Sequence, residues 1–130
     1  MKERGIVCEL GVVDVARSVA FYEKLGFETV EAERAGGSFS WAELSFHGSR
    51  LMLQEIGDLA GHLPGIAREP AMPSHAIVLR VGSAGDAEAL HRRLDELGAG
   101  GQTSLRRTHY GTTEFAVTDP DGYVLLIAGF

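Results

Sequence analysis

A unit of one strand, one helix and three strands occurs twice along this chain, and its fold has to accommodate both copies. Residues 5 to 13, "GIVCELGVV", are apolar and β-branched and predict a strand. Asp14 is placed to cap a helix over "VARSVAFYEKLG", where Val15, Val19, Phe21, Tyr22 and Leu25 share one broad face and Gly26 ends the run. Strands are expected near 27–34, 38–46 and 50–56, with "AGGS" and "HGS" as the turns between them. From Ser74 the order returns: "SHAIVLRV" predicts a strand, "AGDAEALHRRLDELG" a helix, and further strands follow near 100–107, 112–118 and 123–129. "EKLGF" matches "DELGA" at the two helix ends, and "SFHGSRLML" matches "TDPDGYVLL" at the final turns. Module one thus spans 5–56 and module two 74–130, and the glycines and prolines of 57–73, "GDLAGHLPGIAREPAMP", mark a linker or lid. Either half alone would leave one face of a small sheet uncovered. The expected fold is therefore α+β, one domain in which two tandem βαβββ modules form a concave mixed sheet able to hold a ligand.

Length and composition agree with one domain: 130 residues, 45% of them hydrophobic, can bury a real core. The net charge of -6 disfavours nucleic acid as a partner and mildly favours a cationic ligand. The longest apolar runs fall far short of the roughly 18 residues of a membrane span, and "MKERGIVCEL" carries no long apolar signal segment. No membrane partner and a cytoplasmic location are expected. Cys8 has no second cysteine to pair with, and in a strand it reads as a small buried hydrophobe.

Motifs of local chemistry are few. His47 falls in a turn, His62 in the linker and His91 on a helix beside two arginines, leaving His75 and His109 near the supposed cup. No HxH or HxxxH pair, nucleophile elbow or phosphate-binding GxxxxGK occurs, and the glycine-rich "GAGGQ" follows a helix instead of opening one. Asp119, Asp121 and Gly122 read as a structural turn, and Phe21 and Tyr22 as helix packing. A Glu114 carboxylate facing the cup could bind an amine or act as a base, or else pair with an arginine such as Arg80.

With "VVDVARSVAFYEKLGF" in the first half and "YGTTEFAVTDPDGYVLL" in the second, the chain resembles the vicinal oxygen chelate superfamily of glyoxalases, bleomycin resistance proteins and dioxygenases. The resemblance implies the paired βαβββ fold. It also implies that metal-dependent members take ligands from the first and last strands of each module. Carried over residue by residue, those positions are Val7, Met52, Ala76 (beside His75) and Leu126, none an ordinary ligand for a hard divalent ion. Neither metal nor other cofactor is therefore expected, although Glu9, Gln54, His75 and Glu114 could make up a displaced metal shell. "FYEKLGF", "LMLQE" and "DPDGYVLLI" without the usual glutamate are most similar to the bleomycin resistance type. That likeness implies a homodimer that sequesters a cationic or aromatic small molecule. Glu9, Trp41, Met52, Gln54, His75, Tyr110, Glu114 and Leu126 are the expected ligand-binding residues, with no catalytic residue among them. Phe39, Trp41 and Phe46 either supply flat surfaces or fill core. The alternatives are a metal-dependent lyase, isomerase or dioxygenase using Glu9 or Glu114 as base, and an interaction domain whose cup is filled by its own side chains.

Overall fold

The computed structural model describes residues 4–99 and 101–130. The chain divides into two compact units, Met1–Pro70 and Ala71–Phe130.

In the first unit, β1 (Cys8–Val12), α1 (Val15–Lys24), β2 (Glu28–Ala35), β3 (Ser38–Phe46), β4 (Ser49–Glu55) and α2 (Ile56–His62) follow in that order. Their four-stranded mixed sheet runs β1-β4-β3-β2, with β1 parallel to β4 and the other pairs antiparallel. Strand alternation sends Leu10, Val12, Ala42, Leu44, Phe46, Leu51 and Leu53 to one face, where all are buried with Val15, Tyr22 and Leu25 of the first helical segment. Each such aliphatic side chain contributes about 1.5–3 kcal/mol by leaving water, and this face is the core of the unit. Ser18 is also fully buried on α1, a position the apolar pattern does not reveal. Asp14 caps the helix, its Oδ1 accepting from the Arg17 amide at 3.1 Å, and Gly26 leaves it at φ 103°.

Helix α2 corrects the linker expectation at its start. Residues 57–62 are helical, and Ile56, Leu59 and Ala60 are buried against β1 and β4. The Glu55 carboxylate caps this short helix by accepting from the amides of Gly57 at 2.8 Å and Asp58 at 2.9 Å. The β1 strand is shorter than expected, so Val7 precedes it. Cys8 is exposed, not buried as its strand position suggested, although neighbouring atoms desolvate the thiol enough to raise its pKa.

The second unit holds β5 (Ile77–Val81), α3 (Ala84–Glu96), β6 (Arg106–Arg107), β7 (Thr113–Thr118) and β8 (Val124–Gly129), with sheet order β5-β8-β7-β6 and β5 parallel to β8. Leu79, Phe115, Val117, Leu125 and Ile127 form its buried face with Ala87 and Leu94 of α3. The strand expected near 100–107 shrinks to two residues and a single bridge at Gln102, and Gly100 lies outside the described residues. Side chains take over the hydrogen bonding there. Thr103 Oγ1 accepts from the Ala116 amide at 2.9 Å, and the Thr103 carbonyl lies 2.9 Å from His91 Nε2. The turn before β8 is structural: Asp119 Oδ1 accepts from the amides of Asp121 and Tyr123, both at 2.9 Å, and Gly122 adopts φ 94°.

Candidate functional site

The first sheet's other face carries the candidate site. Its register aligns Gly11, Gln54, Trp41 and Glu33 in one row across β1, β4, β3 and β2. The neighbouring row holds Glu9, Met52, Glu43 and Glu31. All four side chains expected from this unit, Glu9, Trp41, Met52 and Gln54, therefore share one face, and each is half-buried. Phe46 has the opposite parity and packs on Phe27 with ring centroids 4.8 Å apart, so it belongs to the core. Phe39 lies under the Arg34 guanidinium, 4.2 Å from its ring centroid.

Where Gly11 leaves the row without a side chain, α2 comes down onto the sheet. A Cβ at Gly11 would stand 2.9 Å from Ile56 Cγ1 and 3.4 Å from Leu59 Cδ2, so the close approach depends on glycine. Docked this way, α2 forms one wall of a cleft of about 520 Å³ lined by Glu33, Ser40, Trp41, Gln54, Asp58 and His62. Asp58 and His62 stand one helical turn apart, the spacing that puts two side chains on one face. Ser40 donates to the Glu33 carbonyl oxygen at 3.4 Å, tying the β2–β3 hairpin together beside the cleft. Two carboxylates, one imidazole, one indole and two neutral polar groups line the space, and no lysine or arginine is among them. Gln54 was expected from strand parity, and Trp41 as a flat surface that the bleomycin resistance likeness suggested, with core filling as its alternative. Glu33 was missed because its place opposite Trp41 is set by a β2–β3 register that shifts on both sides of it, and Asp58 and His62 were hidden by Gly57 and Gly61, which break the helical pattern.

In the second unit, Leu126 pairs with Ala116 and Val78 on the face away from α3, and Glu114 pairs with Ala128 and Arg106. Glu114 is buried and ion-paired: Arg106 Nη2 donates to its Oε1 at 2.8 Å and Thr112 Oγ1 to its Oε2 at 3.1 Å. The partner is thus Arg106 rather than Arg80, because β6 pairs with β7 at that position. His75 is exposed just before β5, with its ring 6.2 Å from that of Tyr123. Tyr110 is exposed in the turn between β6 and β7, edge-on to His109.

The four positions that the family resemblance assigns to metal ligands do not fit a hard divalent ion. Met52 and Leu126 sit on strands with thioether and hydrocarbon side chains, Val7 and Ala76 lie just outside β1 and β5, and none offers oxygen or imidazole. Among the described residues, no three His, Cys, Asp or Glu side chains gather as a metal site.

Two β-α-β-β-β units, each with a parallel first pair and antiparallel remainder, define a paired-module α+β protein. The chain belongs to the glyoxalase/bleomycin resistance protein/dioxygenase superfamily, whose family model matches residues 6–127. Among solved structures it is similar to a glyoxalase-related enzyme from Fulvimarina pelagi, at 24% identity and TM-score 0.74 over 98% of this chain and 88% of that one. A lactoylglutathione lyase from Agrobacterium tumefaciens is similar at 16% identity and TM-score 0.73, over 98% of this chain and 93% of the other. A bleomycin-binding protein complexed with bleomycin is similar at 23% identity and TM-score 0.65, over 99% of both chains. At these identities the likeness is one of fold. No curated protein sequence matches. Among the described residues, no helix is long and apolar enough to cross a membrane.

Proposed function

We propose that this protein binds and sequesters a small or medium organic molecule without using a metal, as a cytoplasmic homodimer of the bleomycin resistance type. The observation that carries this reading is the cleft beside Trp41 and Gln54, a concave space of about 520 Å³ with an aromatic wall and a few placed polar groups. Sequestration asks only for burial and complementarity, and the side chains at the family's metal positions suit that better than ion binding. Antibiotic capture is the form of sequestration that the bleomycin-bound neighbour brings to mind. The rival, a metal-dependent lyase, isomerase or dioxygenase, would require donors from elsewhere on the chain.

The test is a ligand screen on exhaustively chelated protein, with each hit repeated on Trp41→Ala. Binding that survives chelation and weakens about tenfold, or about 1.4 kcal/mol, on truncation of Trp41 with little change in the unfolding midpoint is expected. Loss of stability in step with binding would assign Trp41 to the core. Binding that vanishes on chelation and returns with nickel, zinc, manganese or ferrous iron would move the metal enzyme to the front.

A further inference from the structure

We propose that helix α2 is a gate: it undocks and redocks as one piece while the rest of the first unit stays folded, and the cleft beside Trp41 is complete only while it is docked. This rests on the sequestration reading for what passes the gate, though not for the opening itself. The helix has seven residues, Gly57 and Gly61 among them, and so short a segment with two glycines is not stably helical alone. Its order comes from two sources. Ile56, Leu59 and Ala60 are buried against β1 and β4 at the notch that Gly11 leaves, and the Glu55 carboxylate accepts from the amides of Gly57 and Asp58. Both sources are separate from the main core. Gly11 has the strand parity of Glu9, so the notch opens on the site face, whereas Leu10, Val12 and Leu53 point to the other face with Val15 and Tyr22 of α1. Lifting α2 therefore uncovers its three buried side chains and leaves the core packed, the condition for a local opening that needs far less free energy than global unfolding. The helix is also held at one end. It follows β4 directly, with Glu55 as the hinge at φ -56° and ψ 130°, and every residue from Leu63 to Met72 is exposed and outside any helix or strand. When α2 lifts, Asp58 and His62 leave the lining and Trp41 and Gln54 face open solvent, so a molecule that touches both helix and sheet favours the docked state and shuts the gate behind it.

The test is amide hydrogen exchange on the full-length protein, followed residue by residue by nuclear magnetic resonance. The amides of Leu59 to Leu63 are expected to exchange about a hundredfold faster than the paired amides of β3 and β4, and still more slowly than an unstructured peptide. Two variants at opposite ends of α2 separate a gate from fraying. Gly61→Ala, whose added Cβ meets nothing within 4 Å, favours the helix and should slow this exchange about fivefold. Glu55→Ala removes the cap and should speed it about fivefold. In each variant all the amides from Leu59 to Leu63 should shift by the same factor, with those of β3 unmoved. Amides of α2 that exchange in step with β3 and β4, that show no protection, or that shift only at the altered end would overturn the proposal. The ligand side is probed with 2-naphthol, a neutral aromatic. At about ten times its Kd it should slow α2 exchange about tenfold and leave α3 unchanged. Binding of 2-naphthol that is lost in Trp41→Ala but leaves α2 exchange unaltered would overturn the gate and leave sequestration standing. Opening as described, with neither 2-naphthol nor any molecule of the ligand screen bound, would support the gate's motion and count against sequestration.

Discussion

Replacing Gly11 by alanine tests how α2 is seated. The added Cβ would stand 2.9 Å from Ile56 Cγ1, 3.3 Å from Ile56 Cβ and 3.4 Å from Leu59 Cδ2. Comfortable carbon contacts are about 3.5–4.0 Å, so Ile56 has to retreat by more than half an ångström. Ile56 and Leu59 are both buried and both on the seven-residue helix, so the strain falls on the whole of α2. Overpacking of this kind costs about 1–3 kcal/mol. Alanine also restricts the unfolded chain, which returns about 0.4–1 kcal/mol because the backbone at Gly11 is not left-handed. The expected net loss is about 1 kcal/mol, a fall of a few degrees in melting temperature for a domain of this size. Urea unfolding followed by circular dichroism gives the stability, and the emission maximum of Trp41 reports whether the cleft has opened. Ile56→Ala supplies the control: it removes the clashing carbon, so the double variant should lose less than the two single losses combined, by about 0.5–3 kcal/mol. Unchanged or raised stability in Gly11→Ala, together with unshifted Trp41 emission, would refute the seating of α2 on Gly11.

The Glu114–Arg106 pair is the second target. With the Glu114 side chain 3% exposed and Arg106 70% exposed, Arg106→Ala leaves a buried carboxylate with the Thr112 hydroxyl as its remaining described partner, and should cost about 1–3 kcal/mol. Adding Glu114→Gln should cost less in that background than in the wild type, and a double-mutant cycle with no coupling would dismiss the ion pair as a stabilising contact. Cys8 offers a pH test. Partial burial raises its thiol pKa, so iodoacetamide should react more slowly than with a free cysteine at the same pH, and the rate profile should be displaced to higher pH. Any stability from that shift is present below the unfolded pKa and lost as pH rises through the folded one; a profile identical to free cysteine would contradict the desolvation.

Much of the fold was legible locally. The Asp14 cap, the Gly26 helix end, β3 at Ser38–Phe46 and the turn before β8 each depend on neighbours within a few residues, where composition and spacing carry the signal. Strand alternation also placed Glu9, Met52 and Gln54 together on one face, which Trp41 of β3 shares through its pairing with Gln54. Tertiary structure decided what depends on distant partners. A seven-residue helix containing two glycines has little helical stability of its own, and α2 exists because Gly11, some 45 residues earlier, lets Ile56 and Leu59 dock. The choice of Arg106 over Arg80 for Glu114 followed from the β6–β7 register, and the exposure of Cys8 from its place at the start of β1 in an edge strand. The acidic wall of the cleft belongs to the same class. Glu33 and Asp58 lie 25 positions apart, and they meet at one space because a hairpin register and a docked helix bring them there. Periodicity within either segment carries no information about that meeting, since it is set by packing across the sheet.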